Sequence, residues 1–286
     1  MTKKIAVIND LSGFGRCSLT AAISVLSAMG VQACPLPTAI LTAQTGYPSY
    51  YCDDYTDKME YFRSEWEKMG QHFDGIYTGF VAGEAQISQI FYFLETFQRP
   101  DTFLLVDPVM GDDGKPYPFY TPALLEQMHK LALQADIITP NLTELCLLTD
   151  TDYQSLMSKN NFSELIQTIQ DIGQEFCRKG PKYVIVTGIR FHDPDRIQKM
   201  GNLLIDLNGS SLFSFPYIGG SYSGTGDLFA SCIAGGCAQK NSLSSTIEKA
   251  GQFLEMALID SVKEQVPRND GVNYEKYLSL LIPSSL

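Results

Sequence analysis

Short apolar, β-branched runs alternate along this chain with segments of helical period, and no other feature constrains the fold as much. IAVIN (5–9) is followed by an Ala-rich helical pattern over about 18–29 and then by VQACPL (31–36). GIYTGF (75–80) precedes a helix over about 84–98, and TFLLVDP (102–108) precedes one over about 122–134. ADIITP (135–140) leads into NLTELCLL, and a helix over 162–178 leads into KYVIVTG (182–188). A repeated β-then-α unit predicts an α/β fold, with a mostly parallel central sheet and helices on both faces. The exception is NLLIDLNGSSLFSFP (202–216), where Asn208-Gly209 between two apolar runs predicts an antiparallel hairpin. Two further helices are expected over 226–238 and 242–262. The charged stretch over 53–70 reads as a solvated helix with Tyr61, Phe62 and Trp66 turned inward.

The 286 residues carry no long Pro/Gly/Ser linker and no low-complexity tract, so a single domain over 1–286 is expected. A net charge of -11 opposes binding to nucleic acid or an anionic membrane and points to small-molecule partners. No apolar run approaches the length of a membrane span, and the four apolar residues before Asn9 are too few for a signal-peptide core. The seven cysteines form no CxxC pair and read as buried thiols of a reducing cytoplasm. His72, His129 and His192 lack metal-ligand spacing and read as surface residues.

Parallel α/β sheets hold ligands beyond the carboxyl ends of their strands, which directs attention to two glycine loops. The first, in KKIAVINDLSGFGRCS (3–18), has two glycines of a dinucleotide fingerprint. Ser18 stands where a third would allow close helix packing, and VQACPLPTAIL offers no acidic residue to hold a ribose. A plain turn and a substrate loop remain equal readings. The second loop, GGSYSGTGD (219–227), runs into LFASCIAGGCA, a helix dense in small residues. Unpaired N–H groups at such a helix start form an anion hole, and Asp227 falls in the first turn. There it either complements the helix dipole or accepts a proton. An anion hole joined to a carboxylate base is what phosphoryl transfer requires. Neither a Walker A sequence nor an HRD triad is present, so a different kinase design is needed.

GTGDLFAS resembles the C-terminal signature of the ribokinase superfamily. DPVMGDDGKPY and TPNLTEL resemble its vitamin-kinase branch, with the nearest likeness to the pyridoxal kinase family over essentially the whole chain. The resemblance implies a ribokinase-like three-layer α/β/α sandwich and ATP-dependent phosphorylation of the hydroxymethyl group of pyridoxal, pyridoxine or pyridoxamine. It implies Asp227 as the base and Gly224, Thr225 and Gly226 as the anion hole. It further implies Glu144, Asp107 and Asp112 as the groups serving Mg²⁺, with K⁺ as a further candidate ion. Thr139, Thr187, Tyr120 and Asn141 match nucleotide-side positions. On the substrate side, Gln44 and Thr45 of TAQTGY and residues Asn9, Asp10 and Ser12 are expected at the ring. Phe80 is either a ring-stacking residue or core. A mobile loop near 112–120 or 217–223 is expected to cover the site, and the family implies a homodimer. One departure stands out: Asp10 replaces the serine usual in pyridoxal kinases, and NDLSGFG resembles the loop of hydroxymethylpyrimidine kinases. That enzyme and, less closely, a sugar kinase are the alternatives. Asp227 favours the first reading, since hydroxymethylpyrimidine kinases usually carry Cys there.

Overall fold

The computed structural model describes residues 2–159 and 161–283; residues 1, 160 and 284–286 of the expected 1–286 domain lie outside the described residues. In chain order the elements begin with β1 (Lys3–Ser12), α1 (Ser18–Ala28), β2 (Val31–Leu41), β3 (Cys52–Asp54), α2 (Thr56–Lys68), β4 (Gly75–Thr78) and α3 (Glu84–Phe97). There follow β5 (Phe103–Val106), β6 (Gly111–Asp112), β7 (Lys115–Pro116), α4 (Pro122–Gln134), β8 (Ile137–Ile138), α5 (Leu142–Thr149), α6 (Tyr153–Met157) and α7 (Phe162–Cys177). The last are β9 (Tyr183–His192), β10 (Gln198–Asp206), β11 (Gly209–Pro216), α8 (Thr225–Ala238) and α9 (Leu243–Lys263). They gather into two compact units, residues 2–103 with 218–283 and residues 104–217.

In the first unit β1 lies between β2 and β4, parallel to both, and β3 returns antiparallel along the end of β2. Ile5, Ala6, Val7 and Ile8 are fully buried. A strand with neither face exposed needs cover on both, which is why its sequence is a continuous apolar run. Ile5, Val7 and Ile8 each contribute about 1.5–3 kcal/mol on burial. α1 and α8 pack on β1 and on each other, and the small residues of α8, among them Ala230, Ala234 and Ala238, keep that packing close. Pro35 and Pro37 sit within β2 because β3 pairs only with residues 39–41, so their missing N–H groups fall on a free edge. The register against β1 slips between Asn9 and Leu11, a bulge that re-aims the polar end of the strand.

The second unit joins β5, β8 and β9 in parallel, then adds β10 and β11 antiparallel at one side. α7 packs over β9 and β10. The hairpin between β10 and β11 is present, but its turn is Leu207-Asn208, one residue earlier than expected. Asp206 accepts hydrogen bonds there from the N–H groups of Asn208 and Gly209 through Oδ1.

Several expectations are corrected. β1 does not stop at Asn9 but continues to Ser12, because Asn9, Asp10 and Ser12 are buried and satisfied internally. Thr187 is not a strand end, since β9 runs on to His192 in pairing with β10. Tyr61 is 69% exposed, while Trp66 packs against Phe62, Phe73 and Phe93 between α2 and α3. His129 is half-buried with its ring edge-on to Phe176. Among the thiols, Cys52 is exposed and Cys34 and Cys237 are half-buried. The short β6–β7 hairpin was not expected; it turns at Asp113-Gly114, whose φ of 49° and 78° suits a primed turn.

Candidate active site

In the first unit the polar end of β1 faces the start of α8. Gly224 precedes that helix with a φ of 83°, and a Cβ there would sit 2.1 Å from the Arg16 carbonyl oxygen. Only glycine allows the backbone of α8 to come so close to the segment before α1. Thr225, Gly226 and Asp227 form the first turn of α8, so their N–H groups have no partner within the helix. A Cβ on Gly226 would meet nothing within 4 Å, which leaves that turn open to an incoming group.

The Asp227 side chain is held from beneath. Asn9 Nδ2 donates to Asp227 Oδ1 at 3.1 Å, and the Ser18 backbone N–H also bonds this carboxylate. Burial pushes the Asp227 carboxyl up to about 6, the charge of Asp10 adds to the rise, and the bonds from Ser18 and Asn9 oppose it. The group is therefore ionised at neutral pH yet more basic than an ordinary aspartate. Asp10 is buried and also raised, chiefly by desolvation, with Ser18 and Ser12 opposing. Its Oδ2 accepts from Ser12 Oγ at 2.8 Å. Ser18 has a φ of 52°, an unusual value for a serine.

Gln44 is buried with its amide engaged: Nε2 donates to Ser223 Oγ and to the Asn269 carbonyl, and Oε1 accepts from the Gly46 N–H. Thr45 beside it is exposed. Phe80 is half-buried, its N–H donating to Asn9 Oδ1 at 2.8 Å and its carbonyl accepting from Thr38. Asp270 accepts from the Tyr47 hydroxyl, and its carbonyl accepts from the Arg16 N–H. Ser18, Arg16, Ser223 and the 268–270 segment have no local sequence signal, since their part depends on contacts between residues far apart in the chain.

The second unit brings together the other set. Asn141 and Glu144 form a reciprocal cap on α5: Asn141 Oδ1 accepts from the Glu144 N–H at 3.0 Å, and Glu144 Oε2 accepts from the Asn141 N–H at 2.8 Å. Glu144 Oε1 accepts from the Met110 N–H at 3.0 Å, and Asn141 Nδ2 donates to the Gly111 carbonyl at 2.9 Å. Val109, just before Met110, has a φ of 45°, a strained value for a β-branched residue that helps aim the Met110 N–H at Glu144. Burial pushes the Glu144 carboxyl up to about 7, with the nearby charge of Asp112 adding to the rise against three backbone hydrogen bonds. A cation beside it would favour its ionised form. Asp107 Oδ1 accepts from Thr139 Oγ1 at 2.9 Å, both buried. Asp112 is exposed on β6, and the Tyr120 hydroxyl donates to the Pro108 carbonyl at 3.2 Å. The Thr187 N–H donates to the Pro140 carbonyl. All three carboxylates are oxygen donors of the kind Mg²⁺ prefers. Among the described residues no group of three or more His, Cys, Asp or Glu forms a ready cage.

By fold and by the chemistry of its residues the chain is an α/β kinase of the ribokinase type. It belongs to the phosphomethylpyrimidine kinase family, whose model matches residues 15–270. It is similar to a Bacteroides thetaiotaomicron protein named provisionally as a phosphomethylpyrimidine kinase, at 36% identity and a TM-score of 0.90 over 100% of this chain and 96% of that one. Another crystal form of that protein, solved with pyridoxal, is 35% identical with a TM-score of 0.88, covering 100% of this chain and 98% of that one. A pyridoxal kinase from Dictyostelium discoideum is 24% identical over 96% of this chain and 92% of its own length. Among the described residues no helix is long and apolar enough to cross a membrane.

Proposed function

We propose that the chain phosphorylates the hydroxymethyl group of pyridoxal and its vitamers from ATP, acting as a single kinase domain over 1–286. The observation that carries this reading is the raised, hydrogen-bonded Asp227 carboxylate in the open first turn of α8. The 35%-identical neighbour solved with pyridoxal supports the choice of substrate. In the reaction the substrate hydroxyl gives its proton to Asp227 as its oxygen bonds the γ-phosphorus of ATP, and the bond from that phosphorus to the β–γ bridging oxygen breaks, releasing ADP. The N–H groups of Gly224, Thr225 and Gly226 stabilise the charge developing on the transferred phosphoryl group.

Glu144, Asp107 and Asp112 would serve Mg²⁺, which when bound neutralises charge on the phosphates. K⁺ is the second ion we assign to the reaction. Thr139, Asn141, Tyr120 and Thr187 serve the nucleotide, while Thr45 and Phe80 meet the ring. Gln44, Asp10 and Ser12 stand with them on the substrate side, held by hydrogen bonds within the protein. We also propose a homodimer in the cytoplasm.

The alternative substrate, a hydroxymethylpyrimidine, is favoured by the family description and by Asp10. Turnover of pyridoxal, hydroxymethylpyrimidine and ribose with ATP and Mg²⁺ distinguishes them, and a preference for either of the last two overturns the choice. Asp227→Asn should cut turnover by roughly 10²–10⁴-fold with the nucleotide still bound; near-normal turnover would remove Asp227 as the base.

A further inference from the structure

Asn9 is fully buried, and its place at the end of β1 suggests at first a contact to the substrate ring. Its hydrogen bonds lead elsewhere. Oδ1 accepts from the Asp10 N–H at 3.0 Å and from the Phe80 N–H at 2.8 Å. Two donors converging on one atom fix which end of the amide is oxygen, so the other end must be the NH₂ group. That group points at Asp227 Oδ1, 3.1 Å away. The room for this orientation comes from Gly79, where a Cβ would lie 2.4 Å from Nδ2 and 2.6 Å from Cγ of Asn9. The bulge between β1 and β2 begins at this residue.

We propose that Asn9 is a positioning residue, which holds the Asp227 carboxylate by an N–H bond so that this oxygen is kept in place to receive the substrate proton. The inference rests on Asp227 being the base. It assigns Asn9 to the machinery of proton transfer and not to recognition of the ring. The groups that act on Asp227 come from two elements and the segment between them. β1 supplies Asp10 and Asn9, Ser18 opens α1, and Cys17 just before it has a thiol that is itself raised by burial and by the two aspartates. In this acidic surrounding the Asn9 amide is a neutral side-chain donor beside the Ser18 backbone N–H. A bond to the ionised form of Asp227 lowers its proton affinity, opposing burial and Asp10.

Asn9→Asp tests the assignment with little change of shape. It keeps the acceptor for Asp10 and Phe80 and replaces only the atom facing Asp227, so two carboxyls then share a proton. The acid limb of kcat against pH should move up by about one unit or more. Turnover should recover at high pH, and KM for ATP should stay within about twofold. Gly79→Ala provides a second route, leaving Asn9 in place chemically but displacing its amide, and should move the limb in the same direction. A limb that stays put in both variants overturns the proposal. So does a rise in KM for the vitamer with an unmoved limb, which would return Asn9 to the ring. Asp227→Asn separates this from failure of the base itself. If that variant turns over normally, the base reading falls; if it is inactive while the Asn9 variants keep the wild-type profile, only the role of Asn9 falls.

Discussion

Replacing Asn141 by Ala removes one half of the reciprocal cap on α5 and leaves the other intact, because Ala retains the backbone N–H that Glu144 Oε2 accepts. Two bonds disappear: the cap to the Glu144 N–H at 3.0 Å and the bond to the Gly111 carbonyl at 2.9 Å. Loss of an Asn cap costs about 1 kcal/mol, within a range of about 0.5–2. A partly buried amide-to-carbonyl bond contributes about 1 kcal/mol more. The sum, about 2 kcal/mol, is roughly a 30-fold change in the ratio of folded to unfolded chain. Asn141→Ser separates the terms, since its hydroxyl keeps a cap but does not reach Gly111, and should lose about half as much. Ser242→Ala on α9, an exposed cap on Ser245, is the reference for a cap alone and should cost about 1 kcal/mol or less. Urea unfolding followed by far-UV circular dichroism measures all three. Asn141→Ala no worse than Ser242→Ala would refute the reasoning, because the tie from α5 to β6 would then contribute nothing.

Three further outcomes follow from the geometry. Asp227 has a folded-state value raised to about 6 from 3.8, so the stability associated with it is intact below about pH 4 and lost as pH rises through 6. Asp227→Asn should therefore unfold at higher urea than wild type at pH 8, by up to roughly 3 kcal/mol, with the difference vanishing near pH 4. Gly224→Ala places a methyl 2.1 Å from a backbone oxygen at a φ of 83°; it should cost more than about 1 kcal/mol and depress turnover, and a normal melt with normal kcat would contradict the close approach. Tyr61→Ser should change stability by less than about 0.5 kcal/mol, whereas Trp66→Ala should cost at least about 2, as judged by thermal melts.

The alternation of strands and helices was legible because buried parallel strands must be apolar throughout, and 5–8 are. The helix bearing Asp227 was legible because small residues and a glycine start belong to a helix that packs closely and opens at its end. Glu144 was singled out through the resemblance of TPNLTEL to the vitamin kinases; the reciprocal cap it forms with Asn141 was not anticipated, although Asn three residues before Glu is its sequence signature. The end of β1 was not legible, because Asn9, Asp10 and Ser12 look like a loop until their partners are known, and those partners lie at Phe80, Ser18 and Asp227. Tyr61 was misplaced for a simpler reason: a helix with aromatic residues at 61, 62 and 66 cannot bury all three on one face. Gln44 was expected to meet a ligand, yet nothing in TAQTGY announces that its amide is engaged by Ser223 and Asn269.

The segment 268–271 ties three distant loops. Its carbonyls accept from the N–H groups of Arg16 and Ser223 and from the Gln44 amide, and its side chains bond Gly46 and Tyr47. Residues of the first loop leave the ribosome some 250 positions before the segment that fastens them. During synthesis the loops around Gly13 and Gln44 can bond each other early, through the Gly13, Phe14 and Gln44 N–H groups, but their ties to this segment must wait until residues 268–271 have emerged. The order of translation thus withholds the finished arrangement of these three loops until the residues of α8, Asp227 among them, have already been made.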